Sequence, residues 1–272
     1  MKLPSASITL LLACLLVFTF SGCSTMPTDK HAHATGSGQF VKRTVIVEGE
    51  PRTYQVFVPA HHSSVKPLPV VLFLHGSGER GSDGENQTNA GLGPYVRARA
   101  DDFPAIVVFP QVPKNGEWMG NNVDMALAAL DAASKEFNGD PKRTYLTGLS
   151  MGGYGTWETA ISAPTRFAAL VPICGALLAP RGGRELYVTE VAGASDPYAA
   201  VAARTKHIPT WIFHGAKDDV VPPDDDRKTF AALKAAGADV QYTEFPEANH
   251  NSWDATYQHD AMWTWLFAQR KD

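Results

Sequence analysis

Arg143-Thr144-Tyr145-Leu146-Thr147-Gly148-Leu149-Ser150-Met151-Gly152-Gly153-Tyr154 is the stretch that decides how this chain folds. Arg143 to Leu146 is a β-branched and aromatic run suited to a buried strand, and Tyr154 to Ala163 reads as a helix. Only a sharp turn fits between them. Gly148 and Gly152 flank Ser150 at the two places where a Cβ would collide with the crossing strand and helix, so the serine sits in a strained turn with its hydroxyl exposed. The N–H of Met151 opens the helix and points at the same spot, where the macrodipole favours negative charge. With 23 glycines in the chain, a Gly-x-Ser-x-Gly string says little alone; the strand-to-helix setting gives it meaning.

Outward from this turn, solid apolar runs recur at Val70 to Leu74, Ala105 to Phe109, Thr144 to Leu146, Ala168 to Ile173, Thr210 to Phe213 and Val240 to Phe245. Such runs suit strands buried on both faces, as in a mostly parallel sheet. Helical patterns separate them. Val123, Leu127, Leu130 and Phe137 form one stripe, with Asn122 as the cap before it and Gly139 as the stop after it. Lys228 to Ala236 and Trp253 to Phe267 are two more, the latter with Trp253, Tyr257, Ala261 and Trp265 on one face. Upstream, Phe40 to Glu48 and Arg52 to Pro59 alternate apolar and polar around Glu48-Gly49-Glu50-Pro51, a hairpin of edge strands. The pattern predicts an α/β fold: a doubly wound, mostly parallel sheet with helices on both faces and an antiparallel N-terminal hairpin. Ligands then belong beyond the carboxyl ends of the strands, where Ser150 falls.

A serine hydroxyl near neutral pH attacks a carbonyl only with a base in hydrogen-bond reach and an acid that orients the base. On a strand–turn–helix nucleophile the chain order is serine, acid, histidine. Of the nine histidines, only His250 and His259 follow any suitable acid. His259 falls in the terminal helix pattern, whereas His250 lies in the polar loop Glu247-Ala248-Asn249-His250-Asn251 directly after a strand, so His250 is the base. The acid follows the run Thr210 to Phe213, where Asp218 and Asp219 compete and periodicity does not choose. An oxyanion needs two N–H donors. Met151 supplies one; Ser77, in the glycine-rich loop after Leu74, supplies the second by position, with Gly76 or Gly78 as alternatives. His75 in that loop reads either as a second base or, as is commoner in such a motif, as a brace for the loop. Trp118, at a strand end, either stacks on an aromatic or sugar group or packs under the loop. Residues 176–197 are longer than a crossover needs and form a possible small lid, whose Arg181 and Arg184 either meet a carboxylate or are solvated.

Leu74-His75-Gly76-Ser77-Gly78-Glu79-Arg80-Gly81, Gly148-Leu149-Ser150-Met151-Gly152-Gly153-Tyr154-Gly155, His214-Gly215-Ala216-Lys217-Asp218-Asp219-Val220-Val221-Pro222 and Asn249-His250 together resemble the α/β-hydrolase superfamily. The resemblance is to its branch of exported carboxylesterases, feruloyl-esterase-like and polyhydroxyalkanoate-depolymerase-like proteins, with members identified as prolyl-oligopeptidase-type peptidases. It runs from about Arg43 to the C-terminus. It implies Asp218 as the acid, an acyl-enzyme on Ser150, and a carboxylic ester, small or linked to polysaccharide, as substrate. A serine peptidase with the same triad and a non-catalytic surface lipoprotein keeping the fold are the competing readings.

The formal net charge of −4, without a basic block, argues against nucleic acid and anionic membrane surfaces as partners. No metal cluster, phosphate-cradling loop or dinucleotide fingerprint is present, so no cofactor and no metal are expected. Lys2 followed by Ile8 to Phe20 has the charged and apolar regions of a secretory signal, short of the ~20 residues of a spanning helix. It closes in Phe20-Ser21-Gly22-Cys23, which resembles a bacterial lipoprotein box with Cys23 as the lipidated residue, although Phe20 departs from the usual Leu. Ser24 after it resembles the outer-membrane-destined form; simple secretion is the alternative. The organisation expected is therefore a signal peptide at 1–22, a flexible tether at 23–38 and the catalytic domain at 39–272. Within that domain Cys174 is the one cysteine, a packed thiol in a buried strand pattern.

Overall fold

The computed structural model describes residues 36–180 and 184–272. The signal peptide, the lipid site at Cys23, most of the tether and Arg181 lie outside the described residues. The hairpin is β1 (Gln39–Val47) and β2 (Glu50–Val58), paired antiparallel about the turn at Glu48 and Gly49. There follow β3 (Leu68–Leu74), α1 (Leu92–Arg97), β4 (Ile106–Pro110), α2 (Asn121–Glu136), β5 (Gly139–Leu149) and α3 (Met151–Ser162). The chain then builds β6 (Ala169–Ile173), α4 (Pro197–Thr205), β7 (Thr210–Gly215), α5 (Asp224–Ala235), β8 (Val240–Phe245), α6 (Trp253–Tyr257) and α7 (Asp260–Ala268). One sheet of eight strands results, in the order β1-β2-β4-β3-β5-β6-β7-β8. β2 runs antiparallel to both its neighbours, and β3 to β8 are parallel throughout.

Strand β3 shows why both faces must be covered. Val70, Leu72 and Leu74 enter one apolar cluster with α2, α3, α4 and α5, while Val71 and Phe73 enter another with α1, α6 and α7. Alternate side chains of a strand point to opposite faces, so a strand without a polar residue demands a helical layer on each side. β8 departs from this expectation. All six of its residues are half-buried because it is the sheet's edge.

Helix boundaries differ from the sequence pattern in several places; α5, for one, starts at Asp224, four residues before Lys228. α2 starts after Gly120, whose φ of 49° suits glycine, and the Asn122 amide donates to Glu117 O at 2.7 Å instead of capping. Its stop is Asn138 at φ 51°; Gly139 already opens β5, where a Cβ would meet Val70 Cγ2 at 2.4 Å. The terminal pattern is two helices, since the chain breaks at Gln258 and His259. That break resets the phase: Met262, Trp263 and Leu266 are buried in place of Ala261. Two short helices, α1 and α4, carry too little periodicity to be expected. No helix among the described residues is long and apolar enough to cross a membrane.

Candidate active site

Ser150 joins β5 to α3 at φ 53° and ψ −117°, a left-handed conformation that costs a non-glycine residue about 1 to 3 kcal/mol. Its own N–H donates to Ile173 O at 2.9 Å, and its carbonyl accepts from Gly153 N–H at 2.7 Å. The two flanking glycines are what let β5 and α3 cross here. A Cβ on Gly148 would lie 2.2 Å from Gly152 O, and one on Gly152 would lie 1.9 Å from Leu74 O. Backbone carbonyls of a central strand cannot step aside. Gly152→Ala is therefore expected to cost about 3 kcal/mol, at the upper end of overpacking penalties. Urea unfolding midpoints check this; a loss under about 0.5 kcal/mol, the range of ordinary surface changes, would show that the crossing is looser than it looks.

The loop after β7 carries the acid and the loop after β8 the base. His250 Nδ1 lies 2.7 Å from Asp218 Oδ2, and His250 Nε2 lies 2.9 Å from Ser150 Oγ. An ionised carboxylate only accepts, so Nδ1 carries the proton and Nε2 is left to accept from the hydroxyl. Hydroxyl, imidazole and carboxylate thus meet at one rim of the sheet. Asp218 is buried and Asp219 is exposed, which separates the two carboxylates that periodicity left open. Burial works against ionising Asp218, yet donors from His214, His250 and the Val221 N–H outweigh it and hold the carboxyl well below the usual carboxylate range. Oδ1 accepts from the N–H groups of Val220 and Val221, both at 2.9 Å.

The glycine-rich loop after β3 faces the serine from the other side. His75 is fully buried and donates Nδ1–H to Gly76 O at 2.6 Å, while its Nε2 accepts from Val112 N–H at 3.0 Å. Burial pushes its pKa down to about 4, so it stays a neutral brace for the loop. Ser77 opens a 3-10 turn, Ser77–Glu79, and Met151 opens α3. Among the described residues neither of their backbone N–H groups has an acceptor, as expected of the first donors of a helical turn.

Trp118 does not fill the substrate-stacking role open to it in the sequence. It is 1% exposed, donates Nε1–H to His75 O at 2.9 Å and packs edge-on against the His75 ring. Its indole lies beneath the loop because Gly155 of α3 leaves room for it: a Cβ there would sit 2.5 Å from Trp118 Cβ. The connection 176–197 is tied down at several described points. Leu177 N–H donates to Asp225, Thr189 donates to Glu158 through its N–H and its hydroxyl, and Leu177, Leu186, Val188 and Val191 are buried. Arg184 is half-exposed, but its guanidinium already has partners in the protein. It pairs with Glu117 at 2.7 Å and donates to Ser77 Oγ at 2.8 Å.

Cys174, Asp218 and His250 offer ligand-type atoms within 4.8 Å of one another. Asp218 and His250 already spend those atoms on each other, and burial pushes the Cys174 thiol up and keeps it protonated. The trio suits proton handling better than a cation. Sequence reasoning quoted His214 only as part of a motif and passed over Asp226. Both are buried beside Asp218, with His214 Nδ1 2.7 Å from Asp226 Oδ2. An Asp in the first turn of a helix reads as a favourable partner for the macrodipole, which hid this one among Asp224, Asp225 and Asp226.

Strand order, nucleophile turn and serine–histidine–aspartate geometry together define an α/β-hydrolase. The family model of the prolyl oligopeptidase family matches residues 114–271, and the chain belongs to that family. It is 26% identical over 185 residues to a bifunctional acetylxylan esterase/xylanase of Neocallimastix patriciarum, covering 64% of this chain and 22% of that protein. It is 27% identical over 209 residues to feruloyl esterase D of Neurospora crassa, covering 74% of this chain and 62% of that one. Among solved structures, a thermostable esterase superposes with a TM-score of 0.69 at 33% identity, over 85% of this chain and 63% of that chain. The chain thus spans less than two thirds of the length of each of these relatives.

Proposed function

We propose that the protein is a serine hydrolase that cleaves carboxylic esters, of the feruloyl or carbohydrate-ester type. The observation that carries this reading is the unbroken hydrogen-bonded line from Ser150 Oγ through His250 to Asp218, with the N–H groups of Ser77 and Met151 lacking acceptors among the described residues. Ser150 Oγ attacks the ester carbonyl as His250 Nε2 takes its proton. The carbonyl oxygen becomes an oxyanion that accepts from Ser77 and Met151, each donor supplying about 3 to 4 kcal/mol. Collapse breaks the bond to the alcohol, which leaves with the proton from His250, and an acyl group remains on Ser150. Water then attacks the acyl carbon with His250 again as base, and the acid is released.

A panel of p-nitrophenyl, acetyl-xylan and feruloyl esters beside peptide amides tests the substrate class. Turnover of esters well above amides supports the proposal, and amide cleavage at comparable rates would favour the peptidase reading, which the family match keeps alive. Export, with or without a lipid on Cys23, is part of the same proposal. It is checked by intact mass of the mature N-terminus, where an unprocessed chain would end it.

A further inference from the structure

The triad acid has a second imidazole behind it that the reaction above does not use. His214, at the end of β7, is fully buried, and both of its ring nitrogens face groups that only accept. Nδ1 lies 2.7 Å from Asp226 Oδ2. Nε2 lies 2.8 Å from Val221 O and 3.2 Å from Asp218 Oδ2, the same oxygen that receives His250. The line of the site therefore continues past the triad: Ser150, His250, Asp218, His214, Asp226. Asp226 itself is fully buried on the first turn of α5, and its Oδ1 has no partner among the described residues. A polar atom left unpaired in the interior is costly, and its retention here points to a role for the carboxylate's charge.

We propose that His214 and Asp226 are positioning residues of the serine centre. Asp226 holds His214 as an imidazolium, and His214 holds Asp218 ionised and aimed at His250. This rests on the reading of Ser150, His250 and Asp218 given above. The physical need is clear: a buried carboxylate stays ionised only when donors or cations beside it offset its desolvation, and while Val220 and Val221 N–H serve Oδ1, it is the two imidazoles that face Oδ2. A second cation on Oδ2 weakens the electrostatic pull of Asp218 on a proton at His250. His214 supplies the positive charge permanently and leaves His250 free to be neutral. Although burial disfavours charge on both partners, the donors and charges of the pair leave His214 pushed up to about 10 and Asp226 at about 6. The imidazolium–carboxylate pair is thus maintained between those values. Besides His250, other ionisable groups that feel these carboxylates or this imidazole include Tyr154 on α3, Cys174 after β6, Asp225 on α5, and Tyr242 and Glu244 on β8. Lys228 acts on Asp225, Arg227 on Glu244 and Arg184 on Tyr154, and His214 is the cation in direct contact with both Asp218 and Asp226.

The test has two arms. In the unaltered protein, nitrogen-15 spectra of labelled histidine should show His214 protonated at both nitrogens at pH 7 to 8; a neutral His214 overturns the proposal without reference to activity. In the Asp226→Asn variant, His214 loses its counter-ion and gives up its charge. His250 then holds its proton more tightly against Asp218, and the low-pH limb of kcat/KM moves upward by about one pH unit. The expected kcat falls about tenfold with KM nearly constant, because no substrate contact changes. A limb that stays in place in a folded Asp226→Asn protein overturns the proposal; if that variant does not fold, the spectra of the parent still decide. Turnover surviving Ser150→Ala would instead remove the underlying site, so the two failures are distinguishable.

Discussion

Ser150→Ala is expected to lower kcat/KM on a good ester substrate by about a million-fold, the scale on which a triad nucleophile counts. The loss follows from chemistry, with the fold left intact. Ser150 Oγ makes one hydrogen bond, to His250 Nε2, and alanine tolerates the positive φ of 53° no worse than serine does. Removing the hydroxyl therefore costs about 1 kcal/mol of stability or less. What remains is the proposed pair of N–H donors at Ser77 and Met151, which would still polarise a bound carbonyl, so a residual rate about a thousandfold above water is consistent with the mechanism. Steady-state rates on p-nitrophenyl acetate and labelling by a fluorophosphonate probe read the two consequences independently. Retention of more than about 1% of the parent rate, against the losses known for triads, would place the nucleophile elsewhere. Labelling that survives the substitution would do the same.

The sequence carried the fold because burial on both faces leaves a visible record. β3 has no polar residue to conceal, and β4 beside it and β6 two strands away read the same way. The serine turn was legible for a related reason: at Gly148 and Gly152 only a missing side chain fits against the Leu74 carbonyl, so the glycines report a close approach. Features decided by tertiary contact were less legible. Trp118 could have lined a pocket or filled space beneath a loop, and what settles it is the His75 carbonyl within reach of its N–H, a partner 43 residues away in sequence. The terminal helix broke at Gln258 and His259, where His259 turns its ring onto Trp211 and Phe213, and no local pattern announces that contact. The choice between Asp218 and Asp219 came from resemblance alone at the sequence level. In three dimensions it rests on two N–H donors two and three residues further on, which draw Asp218 inward. Arg184 is the clearest case of a misleading local context: in a polar loop it reads as solvated, yet Glu117 and Ser77 hold it across the rim.

Asp218→Asn is expected to lower kcat by about ten-thousandfold with KM changed little, because the substitution reverses a proton on His250 while keeping the side chain's shape, even though Oδ2 also loses its contact with His214 Nε2 at 3.2 Å. Oδ1 of Asp218 accepts from Val220 and Val221 N–H, and the carboxamide oxygen of asparagine takes over that place. Its NH2 group then occupies the Oδ2 position, facing His250 Nδ1. Two donors cannot share one hydrogen bond, so the imidazole adopts the other tautomer, with Nδ1 accepting and the proton on Nε2. A protonated Nε2 cannot receive the proton of Ser150, and it is that nitrogen which lies 2.9 Å from the hydroxyl. The side chain has the same shape, the N–H groups at Ser77 and Met151 are untouched, and substrate binding is preserved. Steady-state kinetics separates the two parameters, and nitrogen-15 spectra of His250 in the variant should show the proton transferred to Nε2. A loss smaller than about a hundredfold, far below the tautomer effect, would mean that Asp218 does not set the orientation of His250. The proton found still on Nδ1 would lead to the same conclusion by a route independent of rate.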